Sequence, residues 1–234
     1  MTKIVFIPAR MLSAAMFAEV EAYLDGYECL NADCESDDSI SAMADRAVAM
    51  LAKGEQAVFV GVSMGGYVAL DAAIRHADRV KALILTATNA RGDDADAARR
   101  RQTEIDAADT QFTSQMQAMA AQLLCRENDN DSSLNAFIIR ETEILGKEVY
   151  KKQQRAIMLR RDSRPYLAGI KIPTLIIGGK GDKITPIGML EELRDGIGNS
   201  HLTIIDGAGH LCPTEKPKAY ADAIKAFLTT NGIS

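Results

Sequence analysis

This chain has few imidazole or thiolate groups for binding a metal and no surplus of basic charge for a phosphate backbone. It holds three histidines and four cysteines in 234 residues. Cys29, Cys34, Cys125 and Cys212 form no C-x-x-C pair, and no His/Cys cluster has metal-ligand spacing. No metal and no organic cofactor is implied, since a G-x-x-x-x-G-K-[ST] phosphate loop is also missing. A chain long enough to bury a full core needs no disulfide staples, so reduced thiols in a cytosol are the expectation. The formal net charge is −5. The one basic cluster, Arg99-Arg100-Arg101, follows Asp93, Asp94 and Asp96 and reads as a solvated helix face. Nucleic acid is therefore not an expected partner. No apolar run approaches the roughly 20 residues that span a bilayer. The opening "MTKIVFIP" has one lysine and a short apolar run, far from a secretory leader. The expectation is a soluble cytoplasmic protein with no membrane partner. Internal repeats and low-complexity runs are missing too.

What is present is an alternation of strand and helix patterns. Ile4–Ile7, Tyr27–Asp33, Ala57–Val62 and Ala82–Ala87 read as strands, the apolar ones as buried on both faces of a parallel sheet. Amphipathic stretches separate them, around Ala14–Leu24, between "DDSIS" and Gly54, and over Met64–His76. From Ala90 to about Pro165 no strand pattern occurs. Helical patterns lie there around residues 93–108, 112–125, 132–145 and 147–160. This segment carries thirteen Lys/Arg and thirteen Asp/Glu, so the net negative charge sits elsewhere. Alternation resumes with Thr174–Gly179, a helix near Ile187–Gly196, Leu202–Asp206 and a helix near Lys216–Leu228. The simplest architecture is one parallel sheet with a helical insertion after its fourth strand.

The strand Ala57–Val62 runs into Gly61-Val62-Ser63-Met64-Gly65, a G-x-S-x-G match. Small residues on both sides of Ser63 allow a sharp strand-to-helix turn that lifts a nucleophile clear of the sheet. A plain turn is the competing reading. A serine nucleophile needs a base. In a parallel sheet the loops after strands share one end with Ser63. His76 ends the helix leaving Ser63, and His201 directly precedes the last strand, so both belong to the opposite end. His210, in "GAGH" after that strand, is on the correct one. Asp182, just past Thr174–Gly179, can orient His210. Asp206 and Asp93 are the rival carboxylates. The order Ser63, Asp182, His210 is the one used by α/β-hydrolases.

On these residues the chain resembles the α/β-hydrolase superfamily. "GVSMGGYVAL" is similar to its nucleophile elbow, "GKGDKITP" to its acid loop and "GAGHLCPTEKP" to its histidine loop. The resemblance implies an α/β fold with a mostly parallel six-stranded sheet, helices on both faces and a helical cap. The family's first two strands are missing, which gives the order 4-3-5-6-7-8 in family terms. Residues 1–89 and 166–234 are the expected core and 90–165 the cap. By resemblance, the backbone N–H groups of Arg10 and Met64 form the oxyanion hole. Ala9 in "FIPARMLS" replaces a usual glycine, and a positive φ there would strain an alanine.

The resemblance implies a serine hydrolase cleaving a small ester, thioester or lactone through an acyl-enzyme. A serine, not an aspartate, at the elbow argues against haloalkane dehalogenase and epoxide hydrolase chemistry. Cofactor-free C–C hydrolysis, perhydrolysis or lyase chemistry on the same triad stays open, as does a non-catalytic ligand-binding protein. Arg10, Met11, Met119 and Met158 are candidate substrate-binding residues, with Met64 and Met116 as further soft side chains. Arg10 stands where the family usually has an apolar residue. It either pairs with a carboxylate at the rim or binds an anionic group of the substrate. Cys212, two residues past His210, is expected near the site and open to alkylation. The expected partner is a small molecule, and the expected state monomer or homodimer.

Overall fold

In the computed structural model, residues 1–233 are described. The strands are β1 (Thr2–Ile7), β2 (Tyr27–Asn31), β3 (Ala57–Val62), β4 (Val80–Thr86), β5 (Thr174–Gly179) and β6 (Ser200–Ile205). All pair in parallel in the order β2-β1-β3-β4-β5-β6, as the resemblance implies. His201 lies inside β6, not just before it, because β6 starts two residues earlier than its apolar run. The helices are α1 (Ala18–Glu21), α2 (Ile40–Ala49), α3 (Met64–Arg75), α4 (Ala95–Leu123), α5 (Ser132–Met158), α6 (Ile187–Gly196), α7 (Cys212–Glu215) and α8 (Pro217–Thr230). A 3₁₀ turn, Ala14–Phe17, precedes α1.

Strand side chains alternate between two faces, and each face has its own core. Val5, Phe59, Leu83 and Ile176 pack with residues of α2, α3 and α6. Ile4, Phe6, Val58, Val60 and Ile84 pack with residues of α1 and α8. Burial on both faces is why these strands read as continuous apolar runs.

Four helical patterns were expected between β4 and β5, and two long helices form. The α4 helix stays continuous through Asp109-Thr110-Gln111, since that polar run has no Gly or Pro to break it and can lie on an exposed face. The α5 helix does divide, at Gly146, whose φ of 73° suits glycine. Side-chain caps mark both starts: Asp94 accepts from the Ala97 N–H, and Asp131 from Ser133 and Leu134. The two helices enclose a small core of Met11, Ala108, Met116, Leu145 and Tyr150.

Topology places the candidate site. From β1 the chain moves out to β2 and returns to β3 on the other side, so the direction of strand addition reverses there. Beyond the carboxyl ends of strands at such a reversal lies a crevice suited to ligands. The pairing of Ile7 with Gly61 and of Gly179 with Ile205 levels the strand ends. The loops carrying Arg10, Ser63, Asp182 and His210 therefore leave the sheet from the same end.

Candidate active site

Ser63 joins β3 to α3 with φ 53° and ψ −112°, a conformation side-chain-bearing residues seldom adopt. Several bonds hold it. Its N–H donates to the Thr86 carbonyl at 2.9 Å, and its own carbonyl accepts from the Gly66 N–H at 3.0 Å. The Thr88 hydroxyl donates to the same carbonyl at 2.9 Å. The flanking glycines are required by space. A Cβ on Gly61 would lie 2.1 Å from the Gly65 carbonyl oxygen, and one on Gly65 2.1 Å from that of Ile7. The helix thus starts almost in contact with β1 and β3, which only glycine permits.

Asp182 follows β5 in a turn closed by its own N–H to the Gly179 carbonyl. Its Oδ1 accepts from the N–H groups of Ile184 at 2.8 Å and Thr185 at 2.9 Å. His210 Nδ1 lies 2.9 Å from Oδ2 and 3.1 Å from Oδ1. Both side chains are almost wholly buried. A carboxylate only accepts, so Nδ1 carries the proton and Nε2 is the ring's basic nitrogen. The rival acids lie elsewhere. Asp206 is exposed beside Lys180, and Asp93 is buried between Arg101 and Arg160, 2.6 Å from each. His76 caps the far end of α3 beside Asp45, and His201 is exposed on β6.

The His210 loop is tied to the helical insertion. The His210 N–H donates to the Leu123 carbonyl at 2.9 Å. The buried Glu215 carboxylate accepts from the N–H of Gly209 at 2.7 Å, the N–H of Cys125 at 2.8 Å and Asn128 Nδ2 at 2.8 Å. The loop after β1 is held similarly. Gln153 on α5 accepts from the Met11 N–H at 2.8 Å and donates to the Cys34 carbonyl at 3.0 Å, while Glu141 accepts from the Ser13 N–H. The Ala9 N–H faces Met16 Sδ. Among the described residues, no acceptor within the chain engages the N–H of Arg10 or Met64. The backbone strain expected at Ala9 falls instead on Met11, with φ 59°. Gln153 holds that residue from across the insertion.

Ser63 and His210 line one cavity of about 100 Å³, together with Arg10, Arg101, Tyr67 and Met119. Met11 and Met158 are not among its lining residues, contrary to expectation. Met11 is fully buried in the small core between the long helices, and Met158 ends α5 half-buried. Arg101 corrects a second expectation, that its cluster is a solvated face. Residues 101, 105 and 108 share one side of α4, and Ile105 and Ala108 on it are buried. Arg101 follows them inward, donating to Asp93 and Gln154. Arg99 does stay exposed, beside Asp96. Cys212 is fully buried, its Sγ donating to the Gly209 carbonyl, and burial pushes its thiol pKa up. The expected alkylation is therefore not supported. Sequence reasoning also missed Gln153, Glu141 and Glu215, whose only local sign is a polar residue within an apolar helical face.

Among the described residues, no group of three or more His, Cys, Asp or Glu is placed to hold a metal ion, and no helix is long and apolar enough to cross a membrane.

Residues 13–217 match the model of the alpha/beta hydrolase fold family. Among characterised proteins, 3-oxoadipate enol-lactonase 1 of Acinetobacter baylyi is 30% identical over 176 residues, 74% of this chain and 64% of that protein. The pimeloyl-[acyl-carrier protein] methyl ester esterase of Neisseria meningitidis is 29% identical over 195 residues, 81% of this chain and 62% of that protein. The chain thus spans less than two thirds of the length of either relative. A malate-bound esterase from Thermogutta terrifontis superposes with a TM-score of 0.90 at 24% identity, covering 98% of this chain and 90% of that one. The enol-lactonase of Burkholderia xenovorans superposes with a TM-score of 0.86 at 24% identity, covering 97% and 91%. With its six-stranded parallel sheet, its elbow after β3 and the match over residues 13–217, the chain belongs to the α/β-hydrolase family.

Proposed function

We propose that this chain is a serine hydrolase of small esters, thioesters or lactones, working through an acyl-enzyme. One observation carries the reading: His210, backed by the buried Asp182, lines the same cavity as a serine held in a strained elbow. Ser63 Oγ attacks the substrate carbonyl, and His210 Nε2 takes its proton. Asp182 keeps the proton on Nδ1 and stabilises the imidazolium. The N–H groups of Arg10 and Met64 hold the developing oxyanion, where one such donor is worth about 3–4 kcal/mol in the transition state. His210 then protonates the leaving group, and water, deprotonated by His210, releases the acyl chain.

The insertion, residues 90–165, acts as a cap, since Met119, Leu123 and Ile157 from its helices line the cavity. The small volume favours a small acyl group or a lactone ring. The names of the two relatives, an enol-lactonase and a methyl ester esterase, agree with carbonyl–oxygen bond cleavage.

A fluorophosphonate probe tests the reading. It is expected to label Ser63 and no other serine, and Ser63→Ala is expected to abolish labelling and lower kcat by about 10³-fold or more. Labelling that persists in Ser63→Ala would overturn the assignment. An unlabelled, inactive native protein would instead favour a ligand-binding role.

A further inference from the structure

Arg10 has a surrounding that its oxyanion role does not explain. Its side chain lines the cavity of Ser63 and His210, and also a wider one of about 320 Å³ beside it, with Met119 and Ile184 common to both. It is half-buried, yet among the described residues no carboxylate forms an ion pair with it. Other arginines without an ion pair differ. Arg100, Arg126, Arg140 and Arg155 are exposed, and Arg79 is satisfied by the carbonyls of Leu51, Ala52 and Glu55.

The Arg10 guanidinium instead lies over the Tyr150 ring, 5.5 Å from its centroid. Arg101 lines the same inner cavity, oriented by Asp93 and Gln154. Glu104, in the wider cavity, supplies the nearby negative charge, and its Oε2 accepts from the Tyr150 hydroxyl and Gln154, not from Arg10. Burial is the largest influence on Arg10 and lowers its pKa; the Arg101 charge adds to this, while Tyr150 and Glu104 oppose it. An arginine does not deprotonate in response. A half-buried guanidinium that no carboxylate pairs with directly is a place where an anion is favoured.

We infer that the substrate carries a carboxylate, held by the Arg10 guanidinium while the Arg10 and Met64 N–H groups hold the reacting carbonyl. Arg101 adds positive potential at the same wall. Glu104 disfavours a more highly charged group such as a phosphate dianion. Because the N–H and the fork belong to one residue, acid and carbonyl must be separated by only a short chain of the substrate. The inference rests on the hydrolase reading above and narrows its substrate class.

The test compares acid-bearing substrates with neutral counterparts that share either the leaving group or the acyl group. Para-nitrophenyl hydrogen glutarate is set against para-nitrophenyl butyrate, with the acid on the acyl side. Meta-acetoxybenzoate is set against its methyl ester, with the acid on the alcohol side. The native protein is expected to prefer the acid in at least one pair. Arg10→Met should lower kcat/KM for that acid relative to its neutral counterpart by about ten-fold or more, mainly through KM, as loss of a charge-assisted hydrogen bond implies. Arg10→Lys should fall between. Any disturbance of the oxyanion hole cancels in the ratio.

Free glutarate should also inhibit native turnover of the neutral ester competitively, and glutaramide should not, which needs no variant. Equal effects of Arg10→Met on acid and neutral substrates, or equal inhibition by glutarate and glutaramide, would overturn the inference. If Ser63 is labelled but no acid preference exists, only the substrate class fails. If Ser63 is not labelled, the hydrolase reading itself fails.

Discussion

His210 Nδ1 sits 2.9 Å from Asp182 Oδ2, while Asp182 Oδ1 is already engaged by the N–H groups of Ile184 and Thr185. The carboxylate is thus fixed by its own turn before it meets the histidine. We predict that Asp182→Asn lowers kcat by about 10³–10⁴-fold, because an amide can donate to Nδ1 and favour the wrong tautomer. Circular dichroism should show the fold intact. Asp206→Asn, at an exposed position beside Lys180, is expected to leave kcat within about two-fold. A large loss in Asp206→Asn with an active Asp182→Asn would reverse the assignment.

Glu215 should be a positioning residue for His210. Its carboxylate joins Gly209, Cys125 and Asn128. In Glu215→Gln one oxygen becomes an NH₂ group, which leaves a buried N–H facing a donor. The prediction is a loss of about 1–3 kcal/mol in stability, read by urea unfolding. A purely structural role would leave the pH profile of kcat/KM unchanged in the folded variant. Positioning predicts a shifted profile with kcat reduced more than KM is raised.

Gly65→Ala tests the tightness of the elbow. The new Cβ would meet the Ile7 carbonyl oxygen at 2.1 Å, and backbone at the centre of the sheet cannot move away cheaply. A destabilisation of about 3 kcal/mol or more is expected, at or beyond the upper end for overpacking. Gly188→Ala, at a position with open space around its Cβ, is expected to be neutral or mildly stabilising within helix α6. A Gly65→Ala protein as stable as Gly188→Ala would show the elbow is looser than described.

The thiols should be slow to alkylate. Burial, with Glu21 adding to it, pushes Cys29 up to about 11, and burial with Glu215 does the same for Cys125. Cys34 and Cys212 are buried and shifted further in the same direction. Below about pH 11 the thiolate fraction of Cys29 rises about tenfold per pH unit, so its alkylation rate should rise equally. Iodoacetamide near neutral pH is expected to modify Cys29 first, the least buried of the four, with activity retained. Rapid loss of activity with Cys212 modified would contradict this.

The parts of the molecule legible in the chain are local or set by direction. Strands β3 and β5 have the same limits in the structure as their apolar runs suggested, because both faces of each are buried. The elbow was legible because its glycines answer contacts within a few residues or with the adjacent strand. His210 could be singled out by topology alone, since in an all-parallel sheet each loop's end is known from its place after a strand or after a helix. Asp182 was legible as one of three acids, and its distance to His210 then separated it from Asp206 and Asp93.

The order of elements, the serine at the elbow and the end of the sheet where chemistry is possible follow from the residue pattern. What surrounds them depends on how the folded segments pack. Gln153 reaches Met11 across 142 residues, and Glu215 reaches Cys125 across 90. No periodicity records such pairs, because each residue follows its own helix and the partner is chosen by how the helices pack. The same packing turned Arg101 from an apparent surface charge into a wall of the cavity, moved the backbone strain from Ala9 to Met11 and left Arg10 without an ion pair. Which charges meet, and which stay unpaired, depends on distances of a few ångströms between segments that are remote in the chain.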